Sequence, residues 1–161
     1  MKNKFKIFSF LLIVLFTFSC SEEEMTDLEE LEKEISADLT IEDEILKLVN
    51  QHREDQGLDP LIKNETATEL SVDHTKYMIS INKINHDDFN ERSKVLQQKE
   101  KAVRTGENVA VGQPTAKAVV KAWLDSPGHR KNIEGNFSHS GIAAIKNDQG
   151  RFYYTQLFFK K

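Results

Sequence analysis

The sequence predicts an α/β (α+β) domain: a three-layer α/β/α sandwich around a small, mainly antiparallel central sheet. Three observations predict it. The last stretch, Phe152-Tyr-Tyr-Thr-Gln-Leu-Phe-Phe159, is apolar on nearly every residue, so it reads as a strand buried on both faces. Before it, Ser140 to Lys146 forms a second strand-like run, and Asn147-Asp-Gln-Gly150 between them has the chemistry of a hairpin turn. Upstream lie apolar residues at helical spacing, which supply the helices that must cover both faces of the sheet.

In chain order, Thr40 with Asp43 predicts a helix start. Ile41, Ile45, Leu48, Val49 and His52 follow on one face, Gly57 ends the helix and Pro60 stops its resumption. Asn64 opens a second helix. Leu70, His74, Tyr77, Met78 and Ile81 form its core face, and it runs out near Asn85. Glu91 to Lys101 reads as a short polar helix or a loop. Gly106-Glu-Asn-Val-Ala-Val-Gly112 is a strand-like run carrying one carboxylate, Glu107, which is costly to bury without a neutralising partner. Thr115 caps a helix through Ala118, Val119, Ala122 and Trp123. The turn Ser126-Pro-Gly-His-Arg-Lys-Asn-Ile133 follows, with Ser126 as capping hydroxyl, Pro127 at the first helical position and Gly128 allowing close backbone approach.

The domain plan is 1–19 signal peptide, 20–40 acylated cysteine and acidic tether, and 41–161 globular domain. Lys2, Lys4 and Lys6 precede an apolar run from Ile7 to Phe18, too short to span a bilayer. The sole cysteine, Cys20, follows Ser19, where cleavage would fall, and cannot form an internal disulfide. The stretch Phe16-Thr-Phe-Ser-Cys20 resembles a bacterial lipoprotein signal, with Thr17 where leucine is usual. That resemblance implies cleavage, acylation of Cys20 with palmitate-like chains, and anchoring to the outer membrane or cell surface. Ser21 to Glu44 carries 12 acidic residues and only Lys33, a composition that stays solvated. Ser21-Glu-Glu-Glu24 resembles an acidic surface-export signal.

The whole chain has net charge −4. Beyond Glu44, 18 Lys and Arg stand against 14 Asp and Glu, leaving residues 45–161 at +4. No aromatics interleave with a basic stripe, so no nucleic-acid partner is expected. Of the histidines, His52 and His74 read as structural and His139 as surface. Gln156 reads as a hydrogen-bonded structural residue.

Four pieces now stand in order: His86 just past the second helix, Gly106-Glu107-Asn108, Ser126-Pro-Gly-His129-Arg-Lys-Asn132-Ile, and Tyr154-Thr-Gln156. Together they resemble the bacterial branch of the CAP superfamily (cysteine-rich secretory proteins, antigen 5, pathogenesis-related 1; the SCP domain) over residues 41–161. The resemblance implies an α/β/α sandwich with two histidines and one or two glutamates around a cleft. His86 matches the first histidine, Glu107 the first glutamate, and His129 the histidine of the bacterial signature. Ser126 stands where many eukaryotic members have a second glutamate, and Tyr153 where they have a histidine. The family's disulfides and cysteine-rich extension are absent.

His86, Glu107, His129 and Asn108 are therefore the candidate ligand-binding cleft, and His86, Glu107 and His129 the candidate catalytic groups. Two imidazoles and a carboxylate suit Zn²⁺. The alternative is a hydrogen-bonded His–Glu–His network that braces the cleft. Ser126 is better explained by helix capping than as a nucleophile beside His129. Three functions stay open: an extracytoplasmic module binding a lipid, cell-wall fragment or other small ligand; a hydrolase using metal-bound water or Glu107 as general base; and a surface interaction protein without chemistry.

Overall fold

The computed structural model describes residues 39–161; the predicted signal peptide, Cys20 and most of the predicted acidic tether lie outside the described residues. Helix α1 spans Ile41–Asp55. The Thr40 hydroxyl oxygen accepts from the Asp43 N–H at 3.2 Å, and Glu42, Asp43 and Glu44 sit in the first turn, where the helix dipole favours negative charge. The helix closes in a Schellman motif: Gly57 has φ +70°, its N–H reaches Glu54 O, and Leu58 N–H reaches Arg53 O.

A short strand, β1 (Ile62–Lys63), leads to α2 (Glu65–Ser80). The Asn64 side chain caps α2 by accepting from Ala67 N–H at 2.9 Å. The helix stops at Ser80, five residues short of Asn85. Asn82 adopts φ +50°, and Lys83 N–H bonds back to Met78 O, so the same closure occurs with asparagine in the left-handed position. Tyr77 and Ile81, expected in the core, are 40% and 42% exposed. The buried face is instead Ala67, Ser71, His74, Thr75 and Met78.

The polar stretch after His86 is helix α3 (Phe89–Glu100), which buries only Arg92, Ser93 and Leu96. Strand β2 (Arg104–Val111), α4 (Ala116–Asp125) and α5 (Pro127–Ile133) follow, then β3 (His139–Lys146) and β4 (Phe152–Lys160). Thr115 caps α4 through Ala118 N–H at 3.1 Å.

The sheet order is β1-β3-β4-β2. β1 runs parallel to β3, and the other two pairs are antiparallel. β4 lies inside the sheet, and Tyr153 to Phe159 are all buried. Tyr154 and Phe158 pack with Ile45 and Val49 of α1 and Val119 and Trp123 of α4. Leu157 and Phe159 turn the other way, onto Ala67 of α2 and Leu96 of α3, and Tyr153 joins Met78 and Val109. Alternation along β4 thus divides the two helical layers, giving the expected three-layer sandwich.

Gln156 is fully buried and donates to Ser140 Oγ at 3.1 Å, while its Oε1 has no partner among the described residues. His139, expected at the surface, is half-buried, because as the first residue of β3 it stacks on Phe159 at 4.9 Å between ring centroids. His52 bonds Glu134 Oε1 through Nε2 at 2.9 Å.

Candidate functional site

The site is built around Glu107. It lies on β2, at one edge of the sheet, and alternation turns its side chain toward α2 and α3. That side chain is 2% exposed. A bare carboxylate could not stay charged there. Arg92 of α3 supplies the partner: its Nε donates to Oε2 at 2.8 Å and its Nη2 to Oε1 at 2.9 Å. The remaining guanidinium nitrogen, Nη1, donates to Asp87 O at 2.7 Å. One arginine therefore neutralises the carboxylate and holds the loop that carries His86.

His86 Nδ1 stands 2.7 Å from Glu107 Oε1. A carboxylate facing a guanidinium only accepts, so the imidazole Nδ1 carries the proton and donates it to this contact. In the neutral ring, Nε2 is then a free acceptor. The side chain is 53% exposed, which puts the unencumbered nitrogen on the solvent side.

The loop from Ile81 to Asp88 is fastened at several further points. His74, 3% exposed on α2, donates from Nε2 to Asn85 O at 2.9 Å. The same nitrogen is 3.9 Å from Glu107 Oε1. Burial pushes the His74 pKa down, and the charges of Arg92 and His86 add to this, against the Asn85 carbonyl and Glu107. Tyr77 donates to Asp87 Oδ2 at 3.0 Å. That contact, with the ring stacked on His74 at 6.0 Å, explains why Tyr77 sits outside the core. Tyr153 donates to Asn82 Oδ1 at 2.9 Å. Tyr153 occupies the place where eukaryotic relatives were expected to carry a histidine; here it is a brace.

His129 comes from α5. It is half-buried; burial lowers its pKa, and the charge of His86 lowers it further. α5 is tied to β2 by Asn132, whose Nδ2 donates to Glu107 O at 3.0 Å and Asn108 Oδ1 at 2.9 Å. Asn108 in turn donates to His129 O at 3.2 Å. Asn108 is fully buried and, next to Glu107 on a strand, turns to the opposite face of the sheet. It braces α5 from behind and does not line the cleft.

Two expectations for the turn are corrected. Ser126 occupies the N-cap position of α5, but its side chain makes no capping hydrogen bond; its carbonyl accepts from Arg130 N–H instead. Gly128 faces open space, and a Cβ there would meet nothing within 4 Å. The close approach is at Gly106, where a Cβ would lie 2.9 Å from Phe137 Cζ and 3.2 Å from Asn132 Oδ1.

The structure therefore joins His86 directly to Glu107, holds the His129 backbone of α5 through Asn108, and places Asn108 on the far side of the sheet. Arg92 is a participant that the sequence reading missed; His74 is the buried, hydrogen-bonded residue it was read as, and Asn132 of the turn motif ties α5 to β2. A groove of about 430 Å³ opens beside His86, lined by Asp88, Phe89, Asn90 and Glu91. As arranged, the donors do not fit a His–His–Glu zinc site. Both Glu107 oxygens are committed to Arg92, whose positive charge opposes a cation. Among the described residues no three His, Cys, Asp or Glu side chains are placed to hold a metal ion.

The Cysteine-rich secretory protein family, CAP, matches residues 46–158. The chain belongs to the CAP family. It is 35% identical over 124 residues to the uncharacterized protein YkwD of Bacillus subtilis, a match covering 74% of this chain and 47% of YkwD. It is 32% identical over 126 residues to the uncharacterized membrane protein YlbC of the same organism, covering 76% of this chain and 35% of YlbC. The chain thus spans about half or less of the length of these curated relatives. Among solved structures, an extracellular SCP-domain protein of Bacillus anthracis superposes with TM-score 0.62 at 28% identity, over 73% of this chain and 39% of that one. An outer surface protein of Borrelia burgdorferi superposes with TM-score 0.65 at 19% identity, over 87% and 94% of the two chains, a likeness of fold.

Proposed function

We propose that this CAP-family chain is an exported protein, anchored to the outer membrane by acyl groups on Cys20, whose His86–Glu107 cleft binds a small polar ligand of the cell envelope. One observation carries the binding reading: Glu107 is buried with both oxygens engaged by Arg92 and one also by His86. The carboxylate orients the imidazole, and the group that meets a ligand is His86 Nε2. A neutral imidazole fixed in this way accepts one directed hydrogen bond. Asp88 and Glu91 along the groove favour ligand hydroxyl, amide or ammonium donors, and Phe89 offers an apolar surface. Sugar and peptide portions of a cell-wall fragment have this chemistry. Export is supported by the basic start and the apolar run ahead of Cys20. It is also supported by the likeness to a protein described as extracellular.

The same His86–Glu107 pair favours a second reading, hydrolysis with His86 as general base, since an imidazole oriented by a carboxylate is suited to accept a proton. Glu107 itself is too encumbered for that role. Titrating soluble cell-wall fragments into the detergent-solubilised full chain, with mass spectrometry of the recovered fragments, separates the two. Saturable binding without turnover, lost in His86→Ala, supports the module. Turnover that falls in Glu107→Gln replaces it with the hydrolase. Equal affinity in wild type and His86→Ala rejects the cleft as the site. Labelling with an alkynyl fatty acid tests the anchor: label on wild type and none on Cys20→Ala is expected, and equal label on both overturns it.

A further inference from the structure

A second groove of about 430 Å³ is lined by Arg104, Pro127, Arg130, Lys131, Glu134 and Gly135. Three of those six residues are cations, and all three are exposed. Among the described residues none of them forms an ion pair: the salt bridges involve other groups. Arg104 lies over the Phe137 ring at 5.3 Å, which holds its guanidinium in place without cancelling its charge. Arg130 donates Nε to Leu124 O at 2.6 Å, leaving its two terminal nitrogens for another acceptor. The one carboxylate at the groove, Glu134, is engaged by His52 at 2.9 Å.

A fourth cation, Arg53, bonds the carbonyl of Gly135 from a neighbouring groove. Arg53 is 2% exposed, yet its guanidinium meets only carbonyl oxygens. Nη1 donates to Ile133 O at 2.6 Å and Gly135 O at 2.9 Å, Nη2 to Phe137 O at 3.2 Å, and Nε to Asp59 O at 2.8 Å. Carbonyl dipoles solvate a buried cation but leave its net charge intact. Arg53 thus adds positive charge near Gly135, offset in part by the Asp59 carboxylate that acts on it.

We infer that the groove of Arg104, Arg130 and Lys131 binds a multivalent phosphate-bearing anion, separately from the His86 cleft. Two guanidinium forks suit paired phosphate oxygens, and the ammonium adds a third donor of different geometry. A single carboxylate would neutralise only part of this charge, so a diphosphate or a phosphorylated envelope component is the better complement. The chemistry is shared by a free polyphosphate and by a lipid headgroup.

The test uses detergent-solubilised full chain and calorimetric titration with sodium pyrophosphate and, separately, with a short-chain phosphatidic acid. Saturable binding of either is expected, weakening as salt is raised and falling at least tenfold in Arg130→Gln/Lys131→Gln. Tighter pyrophosphate binding identifies a free-anion site, and tighter phosphatidic acid binding a headgroup site. Lys131→Gln alone, at an exposed residue without a partner, loses about threefold and decides the matter should the double variant fail to fold. No saturable binding of either probe by wild type, or unchanged affinity in the folded variants, overturns the inference.

Discussion

The guanidinium of Arg92 holds both carboxylate oxygens of Glu107, with Nε at 2.8 Å from Oε2 and Nη2 at 2.9 Å from Oε1. The pair joins α3 to the edge strand, and through Arg92 Nη1 and Glu107 Oε1 it also fixes the loop that carries His86. Arg92→Leu leaves a carboxylate buried without its cation. Breaking such a pair costs about 3–5 kcal/mol, a large share of an ordinary domain's stability. Arg92→Leu/Glu107→Leu removes both charges and recovers most of that loss. Urea unfolding of the two variants checks this; equal destabilisation would mean that the pair's packing matters more than its charge.

Stability should fall on mild acidification, and His74 is a principal cause. Burial holds its folded pKa below the ordinary value of 6.5. The unfolded chain therefore binds this proton more readily than the fold does. Above about pH 6.5 both states are neutral and the contribution of His74 is intact; as pH falls from there toward the lowered folded pKa, protonation of the unfolded chain erodes it. His129 and His139 are lowered by burial as well and act in the same direction. The lowered carboxyls of Asp43 and Glu100 lose their contributions at more acidic pH, below ordinary values of 3.8 and 4.5. Urea midpoints measured from pH 7.5 to 5 should drop in wild type and drop less in His74→Gln, which keeps a donor for Asn85 O. An identical slope in both proteins rejects His74 as a source.

Glycines at two positions should respond oppositely to alanine. A Cβ on Gly141 would run into the backbone of Ala67 and Thr68, where α2 crosses β3. Ser71 Oγ donates to Gly141 O at 3.1 Å in the same contact. Backbone atoms cannot rotate away, so Gly141→Ala should cost at least about 1–3 kcal/mol, the range for overpacking. Gly128, helical and facing open space, should gain up to about 1 kcal/mol as alanine. Thermal melts of the two single variants settle both signs.

The layering was legible because β4 announces itself: no run of Tyr153 to Phe159 can face water, and a sheet buried on both sides needs helices on both sides. Caps at Thr40, Asn64 and Thr115 were equally readable, because a side-chain acceptor before an apolar period has few other uses. What escaped was the polar side of burial. Glu107 demanded a cation, but nothing in Phe89–Glu100 singles out Arg92 from its charged neighbours, since its burial depends on how α3 meets β2. Arg53 escaped for the same reason: its partners are carbonyls near residues 59 and 133–137, brought to it only by the fold. Asn108 was misplaced because a motif is read as one unit, whereas strand alternation sends its adjacent residues to opposite faces.

Zinc should bind no more tightly to wild type than to His86→Ala/His129→Ala. Two imidazoles remain once Arg92 has occupied Glu107, and two nitrogen donors fall short of the three protein ligands typical of a zinc site with an open position. Drawing Glu107 into coordination would require Arg92 to release it, leaving a buried guanidinium beside a divalent cation. Calorimetric titration of both proteins at pH 7.5 should give affinities within about threefold of each other. Submicromolar binding to wild type, lost in the double variant, would show that Arg92 does yield and that the hydrogen-bonded arrangement is only one state of the site. Arg92→Leu sharpens the comparison: if the guanidinium is what excludes the ion, its removal should raise zinc affinity in a folded protein that retains His86, His129 and Glu107.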